Sequence, residues 1–484
     1  MSQDKYEPVI GLEVHIQLLT ASKAYSSDST EYGAAANTNV SPVSLGHPGV
    51  LPVVNEKMVE YAVKLGLACH CEIREYNEFA RKNYFYADMP KGYQISQHHT
   101  PICNGGYITI KDTEGQEKRI NITRIHMEED SGKSIHDQDP FNTLIDLNRA
   151  GVPLLEMVSE PEIKTPKEAY QYLTEVRKLV RYLDICDGNM EEGSMRCDAN
   201  VSVMLKGADK FGEKVEVKNM NSIRNVQRAL EHEIERQIDC LENKVEIHQE
   251  TRTFDAVAGT TSVMRTKEAA DDYRYFTEPD LPKLIVRQEY VDGVQAELPT
   301  LPNELFEKYT GDLGLSAYDA AIIIDSKAIS TYYEALIAVT KNYKAAANWL
   351  MGPIKSYLNE NAMPIGQFAV QPEGIAALIE LVESGKVSFT VAAQKVFPLL
   401  VKTPDEDPEA LATGENLIQD SDEESINEFV REAIAKYPDK VREYKSGKKG
   451  LIGLFMGEVM KLSKGKADPK KASQLVQELL EKDQ

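Results

Sequence analysis

The sequence predicts an α+β protein: a large mixed N-terminal domain with a β-sheet core, then an all-helical domain and a small helical C-terminal tail domain. Strand-like alternation dominates up to about residue 300, whereas the later patterns are helical. A chain of 484 residues is also too long for one ordinary core. We expect domains at residues 1–298, 299–408 and 409–484, with an acidic, proline-containing linker at 403–425.

The first predicted element is a strand, VIGLEVHIQL, in which apolar and polar residues alternate from Val9 onwards. A period of two places Glu13 and His15 on one face and the apolar residues on the other. Taken alone, the stretch is typical of a half-buried strand with a solvated polar face, and that interpretation stays open.

Two helices follow in the same region, and each begins at a recognisable capping residue. In TPKEAYQYL, Thr165 can cap the helix, Pro166 suits its first turn and Glu168 completes a capping box. The second helix begins at Ser222 in NSIRNVQRALEHEIERQI. Apolar residues recur at helical spacing in both, which predicts that each packs one face on a sheet.

Composition and charge narrow the classes of function. The formal net charge of −22 argues against a protein that coats nucleic acid. Residues 436–471 nevertheless carry eleven Lys and Arg against four Asp and Glu, which indicates either contact with a polyanion or a solvated helical face. No apolar run approaches the roughly 20 residues of a membrane span, and the N-terminus has no apolar signal region. We therefore expect a soluble cytoplasmic protein without a membrane partner.

The six cysteines form no C-x-x-C pair, so we expect reduced thiols. The sequence CHC at residues 69–71 could supply part of a metal site, but no fourth ligand is evident.

Three further stretches crowd polar residues together: SMRCDANVS, ITRIHMEEDSGKS and VEVKNMNS. If they converge on the first strand, they form a mainly oxygen site with one imidazole, which suits Mg²⁺ or Mn²⁺ and is poor for structural zinc. Its members would be Glu13, His15, Glu129 and Asp198. A site of this kind generally leaves room for substrate phosphates and so indicates phosphoryl transfer.

No Walker A loop is present, because Met127 stands where EEDSGKS would need its first glycine. A nucleotide site would therefore be of another kind. Cationic side chains would supply the field that a developing phosphoryl charge requires. The candidates are Arg81, Lys82, Arg124, Arg149 and Lys218.

The ordered motifs of the chain resemble those of a known family. They are VIGLEVHIQL, NTNVSPVSLGHPGVLPVVN, RKNYFYADMPKGYQISQ, ITRIHMEEDSGKS, DLNRAGVPLLEMVSEP, MEEGSMRCDANVSV, VKNMNS and DDYRYFTEPDLP, followed by NWLMG and SKGKADP. Together they resemble the B subunit of the aspartyl/glutamyl-tRNA(Asn/Gln) amidotransferase, the GatB family, over nearly the whole chain.

The resemblance implies an N-terminal catalytic, or cradle, domain that uses ATP and Mg²⁺ to phosphorylate the side-chain carboxylate of Glu on tRNA(Gln) or Asp on tRNA(Asn). Ammonia then displaces the phosphate. The resemblance also implies a heterotrimer, in which a partner A subunit releases ammonia from glutamine and the two are joined by a small C subunit.

By resemblance, Glu13, His15, Glu129 and Asp198 lie in the metal and phosphate site and are its catalytic residues. Lys82 joins them, facing phosphate or carboxylate. Residues expected to hold the nucleotide or the aminoacyl end are Arg124, Ser194, Arg196, Lys218 and Asn219, and weaker members of the acidic cluster are Glu128, Glu156 and Glu192.

The chain departs from the family at one expected metal site. Many members carry cysteines as C-x-C and C-P-V-C where this chain reads YSSDS and SPVS. The corresponding residues here are Ser26, Asp28, Ser41 and Ser44. Hydroxyls do not replace thiolates around tetrahedral zinc, so we expect no zinc.

The tail resembles the module with which the family grips the tRNA body. Its lysines would meet phosphates and select tRNA by shape more than by base sequence. They are Lys461, Lys464, Lys466, Lys470 and Lys471.

Two other interpretations stay open at this stage. One is a non-catalytic tRNA-binding scaffold in which the acidic row only stabilises the fold. The other is an independent carboxylate–amine ligase that acts on a free amino acid.

Overall fold

The structure is a computed structural model and describes residues 5–111, 115–266, 273–418, 423–463 and 467–481. The chain forms two compact units, Met1–Pro302 and Asn303–Gln484. The first unit contains the sheets and the second is helical, which confirms the predicted α+β class. The further boundary at residue 408 stays a prediction.

The strands belong to the first unit. They are β1 (Tyr6–Gln17), β2 (Glu72–Ile73), β3 (Tyr76–Asn77), β4 (Ala80–Asn83), β5 (Tyr93–Ser96), β6 (Cys103–Asn104), β7 (Tyr107–Lys111), β8 (Glu117–Glu129), β9 (Lys133–Ile135), β10 (Leu144–Asp146), β11 (Pro153–Ser159), β12 (Met195–Leu205), β13 (Val215–Lys218), β14 (Glu250–Asp255), β15 (Thr260–Thr266), β16 (Phe276–Thr277) and β17 (Leu284–Ile285).

The helices are distributed over both units. They are α1 (Glu56–Ala68), α2 (Pro166–Tyr182), α3 (Ile223–Glu242), α4 (Gln288–Ala296), α5 (Pro302–Glu307), α6 (Ala317–Ile324), α7 (Lys327–Val339), α8 (Tyr343–Trp349), α9 (Lys355–Glu360), α10 (Pro372–Glu383), α11 (Phe389–Val391), α12 (Phe397–Lys402), α13 (Pro408–Gly414), α14 (Glu423–Lys436), α15 (Pro438–Lys445), α16 (Ile452–Leu462) and α17 (Pro469–Glu481).

Among the described residues, ten strands form one sheet in the order β15-β14-β13-β12-β1-β11-β8-β6-β2, with β7 also paired to β8. The central strands β8, β11, β1, β12 and β13 are antiparallel to their neighbours within this set. A separate small sheet has the order β16-β4-β5. Because an antiparallel sheet can leave one face uncovered, the central strands can carry a site on one side.

The two faces of the central strands differ sharply in polarity. Leu12, Val14 and Ile16 of β1 are fully buried on one face. Helix α2 covers this face, since the Tyr172 hydroxyl donates a hydrogen bond of 3.3 Å to the Met157 sulfur of β11. The polar residues that alternate with these lie on the opposite face.

The predicted helix starts are confirmed. Thr165 Oγ1 accepts a hydrogen bond of 3.1 Å from the Glu168 amide at the start of α2, and Ser222 Oγ caps α3 at the Asn225 amide with the same length. The reciprocal half of the capping box differs, because the Glu168 carboxylate accepts from the Lys164 amide, at 2.8 Å, and not from Thr165. The caps therefore satisfy a backbone amide in the first turn of each helix.

The predicted linker is wrong over residues 408–414, which form α13. Asp407 caps this helix at the Glu409 amide, Pro408 occupies its first turn and Ala412 is fully buried. A short capping signal outweighs the acidic composition here. Among the described helices, none is both long and apolar enough to cross a membrane.

Candidate active site

A row of polar side chains crosses four neighbouring strands on the polar face of the large sheet. Glu156 of β11 lies opposite His126 of β8 on one side and opposite His15 of β1 on the other. His15 in turn lies opposite Arg196 of β12. Residues opposite each other in antiparallel strands project to the same face, so the side chains meet although they are distant in sequence.

The first group of possible metal ligands is formed by His15, Glu128 and Glu156, whose ligand atoms all lie within 4.8 Å of one another. His15 Nε2 is 3.5 Å from Glu128 Oε1 and 3.3 Å from Glu156 Oε2. His126 Nε2 approaches the same carboxylates from the other side, at 3.6 and 3.7 Å. The two carboxylates therefore lie between two imidazoles.

The second group consists of Glu13, Asp198 and Glu216, with ligand atoms again within 4.8 Å of one another. Glu13 lies opposite Asp198 in the register of β1 and β12. The Asn200 amide donates a bond of 2.8 Å to Glu13, and Thr251 Oγ1 donates one of the same length to Glu216. These neutral donors orient the carboxylates without neutralising them.

The electrostatics of the two groups are linked. Burial raises the pKa of the Glu13 carboxyl, and the charges of Glu156, Asp198 and Glu216 raise it further. Burial disfavours the charged form of Glu156, but His126 and His15 hold the pKa of this carboxyl well below its usual range. Burial also acts against protonation of His15, yet the hydrogen bond and charge of Glu156 raise its pKa to about 9. Negative charge on Glu156 is thus compensated, whereas that on Glu13 is not.

Two cationic side chains, Lys218 and Arg196, lie along the row of polar residues. Lys218 Nζ forms an ion pair with Asp198 and lies 3.2 Å from Glu216 Oε1. Burial acts to lower the pKa of Lys218, but Asp198 and Glu216 hold it above its usual range. Arg196 Nη2 lies 3.0 Å from Asp130 Oδ2. Both cations are held close to the row of carboxylates by these pairs.

Two further predicted residues lie near the first group. Arg124 Nη2 is 3.9 Å from Glu156 Oε1. Burial disfavours the charged form of Lys82, but Glu128, Tyr275 and Glu156 together raise the pKa of this amine. Lys82 is therefore within electrostatic range of the carboxylates expected to be its neighbours.

The structure does not bring Glu129 into either group. Its carboxylate is bound by Lys91 and accepts a bond of 2.8 Å from the Ile95 amide. Glu129 follows Ile125 and Met127 in the alternation of β8, and both of these are fully buried. Glu128, with His126, projects to the polar face instead.

Two of the residues predicted to bind the nucleotide or aminoacyl end contact other partners. Ser194 Oγ donates to Asp187 Oδ2 at 3.3 Å, and with Glu192 it lines a cavity of about 470 Å³ beside the end of β1. The Asn219 side chain donates to Thr253 Oγ1 at 2.8 Å. Asn219 has a φ of 64°, so it turns the chain directly after Lys218.

Sequence reasoning did not assign Glu216 or His126 to the site. Glu216 alternates with Lys218 in VEVK, but its approach to Asp198 depends on the register of β12 and β13. His126 shares its face with Glu128, and its Nδ1 is buried without a hydrogen-bond partner among the described residues. The period-two alternation in RIHME was the available signal for His126.

The two groups fit hard divalent cations. One offers three carboxylates and the other two carboxylates and an imidazole, a donor set that suits Mg²⁺ or Mn²⁺. The raised pKa of Glu13 indicates a carboxylate that lacks a compensating cation.

The four positions at which many family members carry cysteine, and at which we expect no zinc, form one hydrogen-bonded cluster. Asp28 Oδ2 accepts from Ser26 Oγ at 3.1 Å, from the Ser41 amide at 3.0 Å and from the Ser44 hydroxyl. The Asp28 carboxylate is thus satisfied by these three donors.

The thiols show no metal-binding arrangement among the described residues. All six cysteines are unbridged and five of them are buried. Burial raises the pKa of Cys71 to about 12, and it raises that of Cys69 well above its ordinary value. Neutral buried thiols are poor metal ligands and poor nucleophiles.

In the tail, Lys461, Lys470 and Lys471 are exposed, whereas Lys464 and Lys466 lie outside the described residues. The tail helices share a core that includes Val430, Phe455 and Val476, all fully buried. The exposed lysines thus lie on helices that pack together around a common apolar core.

Comparison with known proteins decides the family. A model described as the GatB/GatE catalytic domain matches residues 8–292, and a model described as the GatB domain matches residues 331–480. This chain belongs to the GatB family. Both candidate metal groups lie within the part of the chain that matches the GatB/GatE catalytic domain.

Curated GatB relatives match over almost their full length. The B subunit of the aspartyl/glutamyl-tRNA(Asn/Gln) amidotransferase of Thermodesulfovibrio yellowstonii is 47% identical over 476 residues, covering 98% of this chain and 99% of the relative. The proteins of the same name from Synechococcus elongatus and Chlorobium phaeobacteroides are 47% and 48% identical, with at least 98% of each chain covered. The GatB resemblance noted from the motifs is confirmed.

Proposed function

We propose that this chain is the subunit of a tRNA-dependent amidotransferase that activates a misacylated aminoacyl-tRNA. Its substrates are Glu-tRNA(Gln) or Asp-tRNA(Asn), and its co-substrate is ATP. The observation that carries the proposal is the convergence of two acidic groups and their cations on one sheet face, within the catalytic domain of the family.

The chemistry has two stages that need such a face. A side-chain carboxylate oxygen of the substrate attacks the terminal phosphorus of ATP, and the bond from that phosphorus to ADP breaks. Ammonia then attacks the acyl carbon, loses a proton to water or a base, and phosphate leaves. The first stage is required because a carboxylate is a poor electrophile toward ammonia.

The side chains divide this work by charge. Glu13, Asp198 and Glu216, and separately His15, Glu128 and Glu156, would hold divalent cations. When bound, Mg²⁺ supplies positive charge beside the phosphoryl oxygens. Lys218, Arg196 and Lys82 would orient the phosphates and the substrate carboxylate by charge-assisted hydrogen bonds. Glu129 would act only structurally, through Lys91.

Ammonia would come from a partner A subunit that hydrolyses glutamine, in a heterotrimer that also contains a small C subunit. The buried, neutral cysteines of this chain support that division, since none of these five is a plausible glutaminase nucleophile. We place the complex in the cytoplasm, where aminoacyl-tRNA is used.

The test is a transamidation assay with the A and C subunits, misacylated tRNA, ATP and glutamine, following both ADP release and amide formation. Asp198→Asn should lower both rates by about 10²-fold. The matched control is Asp209→Asn, because Asp209 is exposed in the loop after β12. If Glu13→Ala with Asp198→Ala left both rates intact, the non-catalytic scaffold would be the better account.

Deletion of the chain after Ile418, which keeps α13, separates the tRNA enzyme from a ligase acting on free amino acids. The tRNA enzyme should bind its substrate much more weakly and with a shallower salt dependence. An unchanged rate on free glutamate or aspartate would favour the independent ligase.

A further inference from the structure

Four aromatic side chains next to the candidate active site form what we call the ring cluster: Tyr84, Tyr273, Tyr275 and His98. His98 stacks on Tyr275 with ring centroids 4.0 Å apart and an interplanar angle of 6°. Tyr273 meets Tyr275 edge to face at 5.9 Å and meets Tyr84 in the same way at 6.4 Å. The four rings are therefore linked by contact into one aromatic cluster.

The small sheet β16-β4-β5 supports this cluster. Tyr84 follows β4 directly, and Tyr275 precedes β16, which pairs with β4. Asn83 anchors the segment by donating from its amide to Tyr273 O at 3.0 Å and from its side chain to Arg274 O at 2.8 Å. The backbone between the two tyrosines includes Arg274 at a φ of 47°, a left-handed conformation that the Asn83 bonds hold in place.

The ring cluster borders the first group of possible metal ligands. Lys82 Nζ lies 4.9 Å from the centroid of the Tyr273 ring, and its charge interacts with Glu128 and Glu156. Burial raises the pKa of Tyr275, Lys82 opposes that shift, and Glu156 and Glu128 add to it. Lys82 and Tyr275 are thus within electrostatic range of the Glu128 and Glu156 carboxylates on the polar face of the large sheet.

The cluster also remains open to solvent. His98 is exposed, and Tyr84, Tyr273 and Tyr275 are only partly buried. Tyr86 packs edge to face on Tyr84 at 5.8 Å and is 63% exposed. A contiguous patch of partly exposed aromatic rings is typical of a binding surface. Planar bases are the ligands that such surfaces bind, because every base has a π-face.

We propose that an adenine base stacks on the ring cluster while the phosphates or the acyl group attached to the same nucleotide reach the neighbouring carboxylates and Lys82. The proposal deepens the proposed function and rests on it. A nucleotide is favoured over a protein segment because the site joins an aromatic surface to cations and possible metal ligands. Adenine has two sources in the reaction: ATP itself and the terminal adenosine of the tRNA acceptor end.

The experiment uses the assembled complex and two fluorescent probes, so that the sources are distinguished. One probe is 2-aminopurine riboside triphosphate, and the other is tRNA whose terminal adenosine is replaced by 2-aminopurine. Stacking on an aromatic ring quenches the fluorescence of this base. Quenching of the triphosphate assigns the cluster to ATP, and quenching of the tRNA assigns it to the acceptor end.

Substitutions then connect the quenching to the rings. Tyr275→Leu, which removes the ring, should abolish quenching and weaken binding of the same probe about tenfold. Tyr275→Phe, which keeps the ring, should stay within about twofold of the wild type. His98→Leu repeats the test at an exposed position where folding is not at risk. The matched control is Tyr170→Leu, because Tyr170 is 40% exposed on α2, the helix that covers the opposite face of the sheet.

The inference is overturned if neither probe is quenched by a wild-type complex that is active in transamidation. It is also overturned if Tyr275→Phe and Tyr275→Leu weaken binding equally, or if Tyr275→Leu weakens only assembly with the partner subunits. A wild-type complex that binds and quenches a probe but never amidates misacylated tRNA would instead contradict the proposed function.

Discussion

Glu13 and Asp198 lie directly opposite each other on adjacent antiparallel strands, and Glu216 of the next strand completes a group whose ligand atoms are within 4.8 Å of one another. Lys218 pairs with Asp198 and Glu216, but the direct donor to Glu13 is a neutral amide, that of Asn200. The group is thus built to receive further positive charge at Glu13. In the metal-free protein, repulsion among the three carboxylates of this group destabilises the folded chain.

We therefore expect Glu13→Gln to separate stability from activity. In chelator, the variant should unfold at a higher temperature than the wild type, because the pKa of Glu13 is raised by burial and by neighbouring carboxylates. With Mg²⁺ present, its transamidation rate should fall about 10²-fold. Thermal unfolding with and without Mg²⁺ measures the first effect. Glu72→Gln, at an exposed position of β2, is the control. A lower unfolding temperature in chelator would contradict the charge argument.

In the absence of metal, the stability of the folded chain should depend on pH through the protonation of His15. Its pKa is raised to about 9 in the folded chain, mainly by Glu156 acting against burial, and is about 6.5 in the unfolded chain. The stabilisation is therefore complete below about pH 6.5 and is lost as pH rises through about 9. In chelator, the unfolding temperature of the wild type should fall over this window more than that of His15→Gln.

The proton on the His15 imidazole competes with a bound cation. A metal ligand must present a neutral imidazole, so stabilisation by Mg²⁺ should grow as pH rises over this window. His232→Gln is a useful comparison, because His232 contacts Thr261 and belongs to neither group of possible ligands. If the unfolding temperature of the wild type and that of His15→Gln depended on pH in the same way, the proposed ion pair between His15 and Glu156 would be contradicted.

Alternation within single strands could be read from the sequence, but pairing between strands could not. Glu13 and His15 were placed on one face of β1 by the period of two, and the structure has them there. Glu216 reaches Asp198 only through the register of β12 and β13, and β13 is a short strand. Long-range register depends on packing of the whole sheet, which no local pattern contains.

Which of Glu128 and Glu129 faces the site could, by contrast, be read from the sequence. Ile125 and Met127 continue the apolar alternation of β8, so Glu129 falls in the apolar phase and Glu128 in the polar phase with His126. That signal was present in the sequence. The apolar environment of Glu129 is tolerable because Lys91 and the Ile95 amide compensate its carboxylate.

Restoring cysteines at the serine and aspartate cluster should create a zinc site. Asp28 already accepts bonds from the Ser26 and Ser44 hydroxyls and from the Ser41 backbone amide, so these four positions surround one point. The combined variant Ser26→Cys, Asp28→Cys, Ser41→Cys and Ser44→Cys should purify with about one zinc ion per chain. The wild type should contain none by elemental analysis. The control is Ser26→Cys with Ser41→Cys, which offers two thiolates and should retain zinc poorly. Stoichiometric zinc in the wild type would show that the cluster binds metal through oxygen.

The tail lysines should contribute to tRNA binding only by electrostatic contact between their ammonium groups and the tRNA phosphates. Lys461 lies in the last turn of α16, Lys470 and Lys471 lie in the first turn of α17, and all three are exposed. Replacing the three with Gln should weaken tRNA binding and reduce the slope of log affinity against log salt by about 0.7–0.9 per lost contact. Filter binding over a range of salt concentrations measures both quantities.

The matched control replaces Lys341, Lys355 and Lys395, which are exposed in the helical region before the tail, with Gln. This control removes the same charge and should leave the salt slope unchanged. Because the tail core is formed by buried apolar residues such as Phe455, neither triple variant should alter the unfolding temperature appreciably. If both variants lowered the slope equally, net charge of the chain, and not phosphate contact by the tail, would govern binding.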